Sequence, residues 1–175
     1  MAGQAALTVV IPSRVMALSL FENSRETNTA STITMVEDVL IALGHFVNDC
    51  RVDDPGALRA WRITKGSAQV AIRLLDRPGY PHLRVASAVM RTAAGMDPIR
   101  RASLHAELLT RNLELCGMAF ASQDDLILLV TERSTLDLDR SEVLDLINRV
   151  QDHADAVDDA LVADYGGSLG SGSVG

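Results

Sequence analysis

Apolar positions recur along this chain with two different periods, and the switches between them divide it into elements. Val36, Leu40, Leu43 and Val47, flanked by Val39 and Phe46, keep three- and four-residue steps and so form one stripe of a helix. Glu37, Asp38, His45 and Asn48 fall on its other side. Thr34 and Glu37 have capping-box spacing, which predicts the helix start. Gly44 costs about 1 kcal/mol in a helix interior, so the pattern predicts a close packing contact there. Asp53-Asp54-Pro55-Gly56 has the turn chemistry that ends this unit.

The period then drops to two. Trp61 and Ile63 alternate with Arg62 and Thr64, and Lys65-Gly66-Ser67 makes a tight turn. Val70, Ile72 and Leu74 alternate with Ala71 and Arg73. After the turn Arg77–Pro81, the residues Leu83, Val85, Ser87 and Val89 predict another strand. Such short connections imply an antiparallel meander. Asp97 at the N-cap and Pro98 at the first helical position open a second helix that runs to about Leu113. Strands are predicted at Leu115–Ala121 and Leu126–Thr131, joined by Ser122-Gln123-Asp124-Asp125. Leu126 to Val130 is apolar without alternation, so both of its faces should be covered. Asp139 and Glu142 start a third helix, whose stripe is Val143, Ile147, Val150, Ala154, Val157 and Leu161. Gly166-Gly167 stops it. The order αβββαββα defines an α+β domain, an antiparallel sheet with helices on one face.

The ends differ from this body. Residues 1–30 read as an N-terminal extension: Leu7 to Ile11 has strand chemistry, Val15 to Phe21 is a second short apolar run, and Glu22 to Ser31 is a polar linker. Two readings of this extension stay open: a loose leader without contact, as chain termini usually are, or a tethered competitor that lies along its own or its partner's sheet. Residues 166–175 are Gly/Ser-rich and predict a disordered tail, which leaves residues 31–165 as the domain. The second helix has two apolar faces. Ile99, Ala102, Ala106, Leu109 and Leu113 lie along one side and are assigned to the chain's own core. Leu104 and Leu108 lie nearly opposite. Their cover is either another part of this chain or a second copy, and the expectation adopted is a homodimer contact at Leu104 and Leu108.

Composition narrows the function. The 175 residues carry a net charge of −7 with a pI near 5.0, which argues against a nucleic-acid partner because phosphate binding needs clustered Lys and Arg. Arg100-Arg101, with Arg91 nearby, is the densest basic group and reads as a solvated face. Hydrophobic residues make up 47% and aromatics 3%, so the core is aliphatic. The apolar run Ala5–Ile11, cut by Pro12, suits neither a signal peptide nor a membrane span, so the expected location is the cytoplasm. Cys50 and Cys116 lack CxxC spacing and sit among apolar residues as small hydrophobes, although the sequence leaves their pairing open. His45, His82, His105 and His153 share no metal-ligand spacing. No HExxH or P-loop pattern occurs. Asp137, Asp139 and Glu142 lack the glycine and spacing of a calcium loop. Asp152, Asp155, Asp158 and Asp159 read as a solvated helix face, with docking of a basic partner as the alternative. The expectation is a chain with no catalytic, cofactor or metal residues.

The second half resembles a known family. The residues that carry the resemblance are Leu108-Leu109-Thr110-Arg111-Asn112-Leu113, then Gly117-Met118-Ala119-Phe120-Ala121, then Asp124-Asp125-Leu126-Ile127-Leu128, then Leu136-Asp137-Leu138-Asp139, and a final helix with Ala154 and Leu161. Together with the element order, they resemble class I type III secretion chaperones of the CesT type and the related bacterial YbjN-like proteins. The resemblance covers about residues 31–165 and is strongest from 104 to 162. It implies a homodimer through the second helix and client peptides held on apolar sheet and helix surfaces. The 1–30 extension falls outside that pattern. The leading reading is therefore a non-catalytic, dimeric protein- or peptide-binding domain. The alternative is a regulatory or scaffolding module that binds a folded partner.

Overall fold

A computed structural model describes residues 13–170, with side chains from residue 24 onward. Helix α1 (Ser13–Ala42) leads into the single turn α2 (Val47–Cys50) and the short strand β1 (Arg51–Val52). A meander follows: β2 (Arg59–Lys65), β3 (Ala68–Leu75) and β4 (His82–Arg91). Then come α3 (Pro98–Arg111), β5 (Ala119–Gln123), β6 (Leu126–Ser134), α4 (Arg140–Tyr165) and β7 (Ser168–Leu169). The sheet is antiparallel with the order β1-β2-β3-β4-β6-β5, and β7 pairs with Met90 and Arg91 of β4. The fold is the α+β arrangement that the element order predicts.

One sheet face carries the main core. Val36, Val39 and Leu40 of α1 meet Trp61, Ile72, Leu74 and Val85 of the sheet and Val143, Ile147 and Val150 of α4. Further along, Leu104 and Leu108 of α3 meet Val89, Met90, Phe120, Ile127, Leu129, Ala154 and Leu161. The opposite face has its own strand-only cluster of Ala86, Ala88, Leu126 and Leu128, with Ala71, Ala121 and Val130 against it. Leu126 to Leu129 are all buried, as their unbroken apolar run requires.

Several boundaries differ from the sequence expectation. α1 runs unbroken through Thr34, whose hydroxyl donates to the Ala30 carbonyl at 3.2 Å and is therefore mid-helix, not a cap. The polar run Glu22–Ser31 contains neither Gly nor Pro, so nothing in it stops a helix, and Val15 to Phe21 are helical as well. Side-chain ties hold this stretch down: Asn28 donates to the Thr135 carbonyl at 3.1 Å, and Arg25 pairs with Asp76. Leu7 to Ile11 lie outside the described residues. Gly44 is not interior. It follows the helix end at φ +88°, with its N–H on the Ile41 carbonyl (2.9 Å) and the His45 N–H on the Leu40 carbonyl (3.0 Å), a Schellman stop. Phe46 therefore leaves the stripe and is 80% exposed.

At the other end Gly166 caps α4, but the expected tail does not begin there. β7 extends the order to Gly170, and Gly167 (φ +101°) passes so close to the Arg91 carbonyl that a Cβ would collide with it. β5 is shifted along the chain, to Ala119–Gln123: its turn to β6 is the two-residue Asp124-Asp125, with Asp124 at φ 54°, so Ser122 and Gln123 belong to the strand and not to the turn. In α4 the capping box at Asp139 and Glu142 forms, and the stripe is buried apart from a half-buried Val157. Its acidic side is not simply solvated. Asp158 is buried and accepts from the Ser67 hydroxyl at 2.7 Å, Asp155 accepts from the Ser67 N–H at 3.1 Å, and Lys65 pairs with Asp152. These aspartates grip the β2–β3 turn.

Candidate functional site

Helix α3 is fixed at both ends. The Asp97 carboxylate accepts from the N–H groups of Ile99 (3.0 Å) and Arg100 (3.1 Å), and Asn112 is the C-cap. Leu104 is 0% and Leu108 is 5% exposed, both inside this chain's own core, whereas Ile99, Leu109 and Leu113 are 81%, 69% and 87% exposed. The two faces are thus exchanged relative to the sequence expectation, and Leu104 and Leu108 are not an outward contact. Periodicity finds both faces but does not rank them. The polar residues decide: Glu107 and Asn112 share the Leu104 and Leu108 side, and their partners Tyr165 and Phe120 belong to the body of the domain. Glu107 accepts from the Arg111 Nε at 2.9 Å and from the Tyr165 hydroxyl, and these bonds hold its carboxyl below the usual range.

The exposed face then reads Ile99, Ala102, Ala106, Leu109, Leu113, spaced three and four residues apart as in the seam of a paired helix.

Beside α3 runs β5, the edge strand of the sheet. Asn112 reaches it with its carboxamide. Its Oδ1 accepts from the Phe120 N–H at 2.7 Å, and its Nδ2 donates to the Phe120 carbonyl at 3.3 Å. The main chain of Phe120 therefore points away from β6. By the alternation of an antiparallel ladder, so does that of Ser122, two residues on. Ser122 offers one N–H and one C=O, and neither has a partner among the described residues. Between this edge and α3 lies a groove of about 220 Å³, lined by His105, Leu108, Leu109, Asn112, Phe120, Ala121 and Ser122. It combines an apolar floor with an open main-chain edge. A larger hollow of about 550 Å³ lies beside α1, but its rim is charged by Arg25, Glu26 and Asp76, two of which already pair.

The other candidates are dispersed. Among the described residues, no group of three or more His, Cys, Asp or Glu side chains could hold a metal ion. His82 pairs with Glu132 at 3.1 Å, and His105 lines the groove. Burial pushes the Cys50 thiol up, and Cys116 is exposed; both are free. Arg100 donates to the Asp164 carbonyl at 2.8 Å, and Arg91 pairs with Asp125. No described helix is long and apolar enough to cross a membrane. The sequence offered Asn112 only as part of the family resemblance and Ser122 only as a turn residue, neither as a site. The available signal was an amide residue ending an amphipathic helix just before a strand that lacks a neighbour on one side.

The site is thus an antiparallel sheet with an edge strand beside a helix, and an apolar groove between the two. Residues 30–170 match the family described as "T3SS (YopN, CesT) and YbjN peptide-binding chaperone 1", and the chain belongs to that family of peptide-binding chaperones. Among solved structures it is similar to the HopA1–SchA chaperone–effector complex (11% identity, TM-score 0.49, covering 81% of this chain and 96% of that chain). It is also similar to the heterodimeric ExoU–SpcU complex from the type III secretion system of Pseudomonas aeruginosa (15% identity, TM-score 0.47, covering 73% of this chain and 94% of that chain). No curated protein matches it.

Proposed function

We propose that this chain is a non-catalytic chaperone that holds an extended segment of a client protein along β5. Two copies pair through the outer stripe of α3. The observation that carries the reading is the outward-facing main chain of Ser122, without a partner among the described residues, beside the apolar groove. A client strand added there gains main-chain hydrogen bonds from the edge and seats alternate side chains against Leu108 and Phe120. The groove is large enough for one or two aliphatic side chains, which gives selectivity for apolar residues at every second client position. Exposed Ile99, Leu109 and Leu113 supply the pairing surface.

The test is Ser122→Pro. Proline removes the outward N–H of Ser122 and leaves the bonds between β5 and β6 in place, since those are made by its neighbours. The probe is a fluorescent eight-residue peptide of alternating threonine and valine with a lysine at each end. Its affinity, read by anisotropy, should fall about tenfold or more, the factor equivalent to ~1.4 kcal/mol. Equal affinity for the wild type and Ser122→Pro contradicts the reading.

A further inference from the structure

A free strand edge is a liability, because any passing chain can pair with it. This edge is partly closed by the protein itself. A primary carboxamide presents the same acceptor and donor as a peptide unit, and Asn112 uses both on Phe120, at 2.7 and 3.3 Å. The side chain thus occupies the position that the main chain of an added strand would take. Asn112 is half-buried and ends α3 in ordinary helical geometry (φ −61°, ψ −21°), so a rotation of its side chain vacates the edge without unwinding the helix. With Asn112 in place, an added strand finds only the N–H and C=O of Ser122. With Asn112 displaced, it also finds those of Phe120, which doubles the main-chain bonds available to it.

We infer that Asn112 is a displaceable stand-in for the client strand. It blunts the β5 edge in the free protein and leaves when an extended peptide main chain arrives. The inference rests on the reading of β5 as the client edge and adds a switch to it. The ligand class follows from the chemistry of the stand-in: an unmodified peptide backbone in extended form, recognised by donor and acceptor together. A peptide whose edge-facing nitrogens are methylated lacks the donor and cannot displace Asn112.

The test uses the full chain and the same lysine-flanked threonine–valine peptide. Displacement breaks two neutral hydrogen bonds that Asn112→Ala no longer has to break, so that variant should bind the peptide roughly tenfold tighter than the wild type. In the wild type, the Asn112 side-chain NH₂ signal should exchange faster with solvent once the peptide is saturating. This NMR readout decides the matter should Asn112→Ala fail to fold. Unchanged or weaker binding by folded Asn112→Ala, or an Asn112 signal indifferent to peptide, overturns the inference. If Ser122→Pro still abolishes binding in that case, Asn112 is a fixed brace and the edge reading survives. If Ser122→Pro binds as the wild type does, the edge reading itself fails and takes the switch with it.

Discussion

Glu37 shows how a single side chain couples the acidic character of this chain to its stability. Its carboxylate accepts from Arg51 at 2.9 and 2.8 Å and from the indole N–H of Trp61 at 3.3 Å. The Arg51 bonds lower its pKa first, burial opposes them, and the Trp61 bond lowers it further, for a net value below the ordinary 4.5. A carboxylate depressed by folding stabilises the native state above its unfolded pKa, and that contribution is lost as pH falls through the folded value. Glu37→Gln should therefore flatten the loss of stability below about pH 4.5, read by the fluorescence of Trp61, the chain's one tryptophan. An acid melting curve with the wild-type slope contradicts this assignment. Leu104 and Leu108 give a second prediction. Leu104→Ala should cost about 2–5 kcal/mol, as a filled core position does. Leu108→Asp should unfold the domain rather than yield a soluble monomer, because it buries a charge with no partner. A folded, cooperatively melting Leu108→Asp would return these residues to the surface.

At the scale of elements, the exposed stripe of α3 predicts that Leu109→Asp leaves the fold intact and shifts light scattering from dimer to monomer. A wild type that is monomeric at micromolar concentration removes the pairing from the account. α4 contributes Val143, Ile147 and Val150 to one core cluster and Ala154 and Leu161 to the other, so truncation after Asp139 should abolish cooperative melting. A soluble truncation product that melts cooperatively would show α4 to be dispensable. The strands of the meander, the cap of α3 and the capping box of α4 were legible because each rests on local chemistry: alternation, Asp97-Pro98, and Asp139 with Glu142. What escaped depended on distant partners. The polar stretch before Ser31 is helical because Thr135 and Asp76, far along the chain, hold it. The inward face of α3 is set by Tyr165 and Phe120. Asp158 is buried where the Ser67 hydroxyl, far along the chain, donates to it. The open edge at Ser122 follows from the strand order, which no single stretch of sequence encodes.

The whole molecule combines an aliphatic core, a sheet with one open edge beside a groove, and a net charge of −7. That charge draws cationic segments toward the surface at long range, so the lysine-flanked peptide should associate more slowly as salt rises, with its dissociation changed less. Salt-independent association would mean that the charge plays no part in client capture. Where the client backbone lies decides between the two hollows, and amide hydrogen exchange reads that directly. With the threonine–valine peptide at saturation, the Ser122 amide should change from exchange near the unprotected rate to strong protection, while amides lining the hollow beside α1 keep their rates. Protection around Arg25 to Ile33 with Ser122 unchanged would place the client in that other hollow and contradict the central claim.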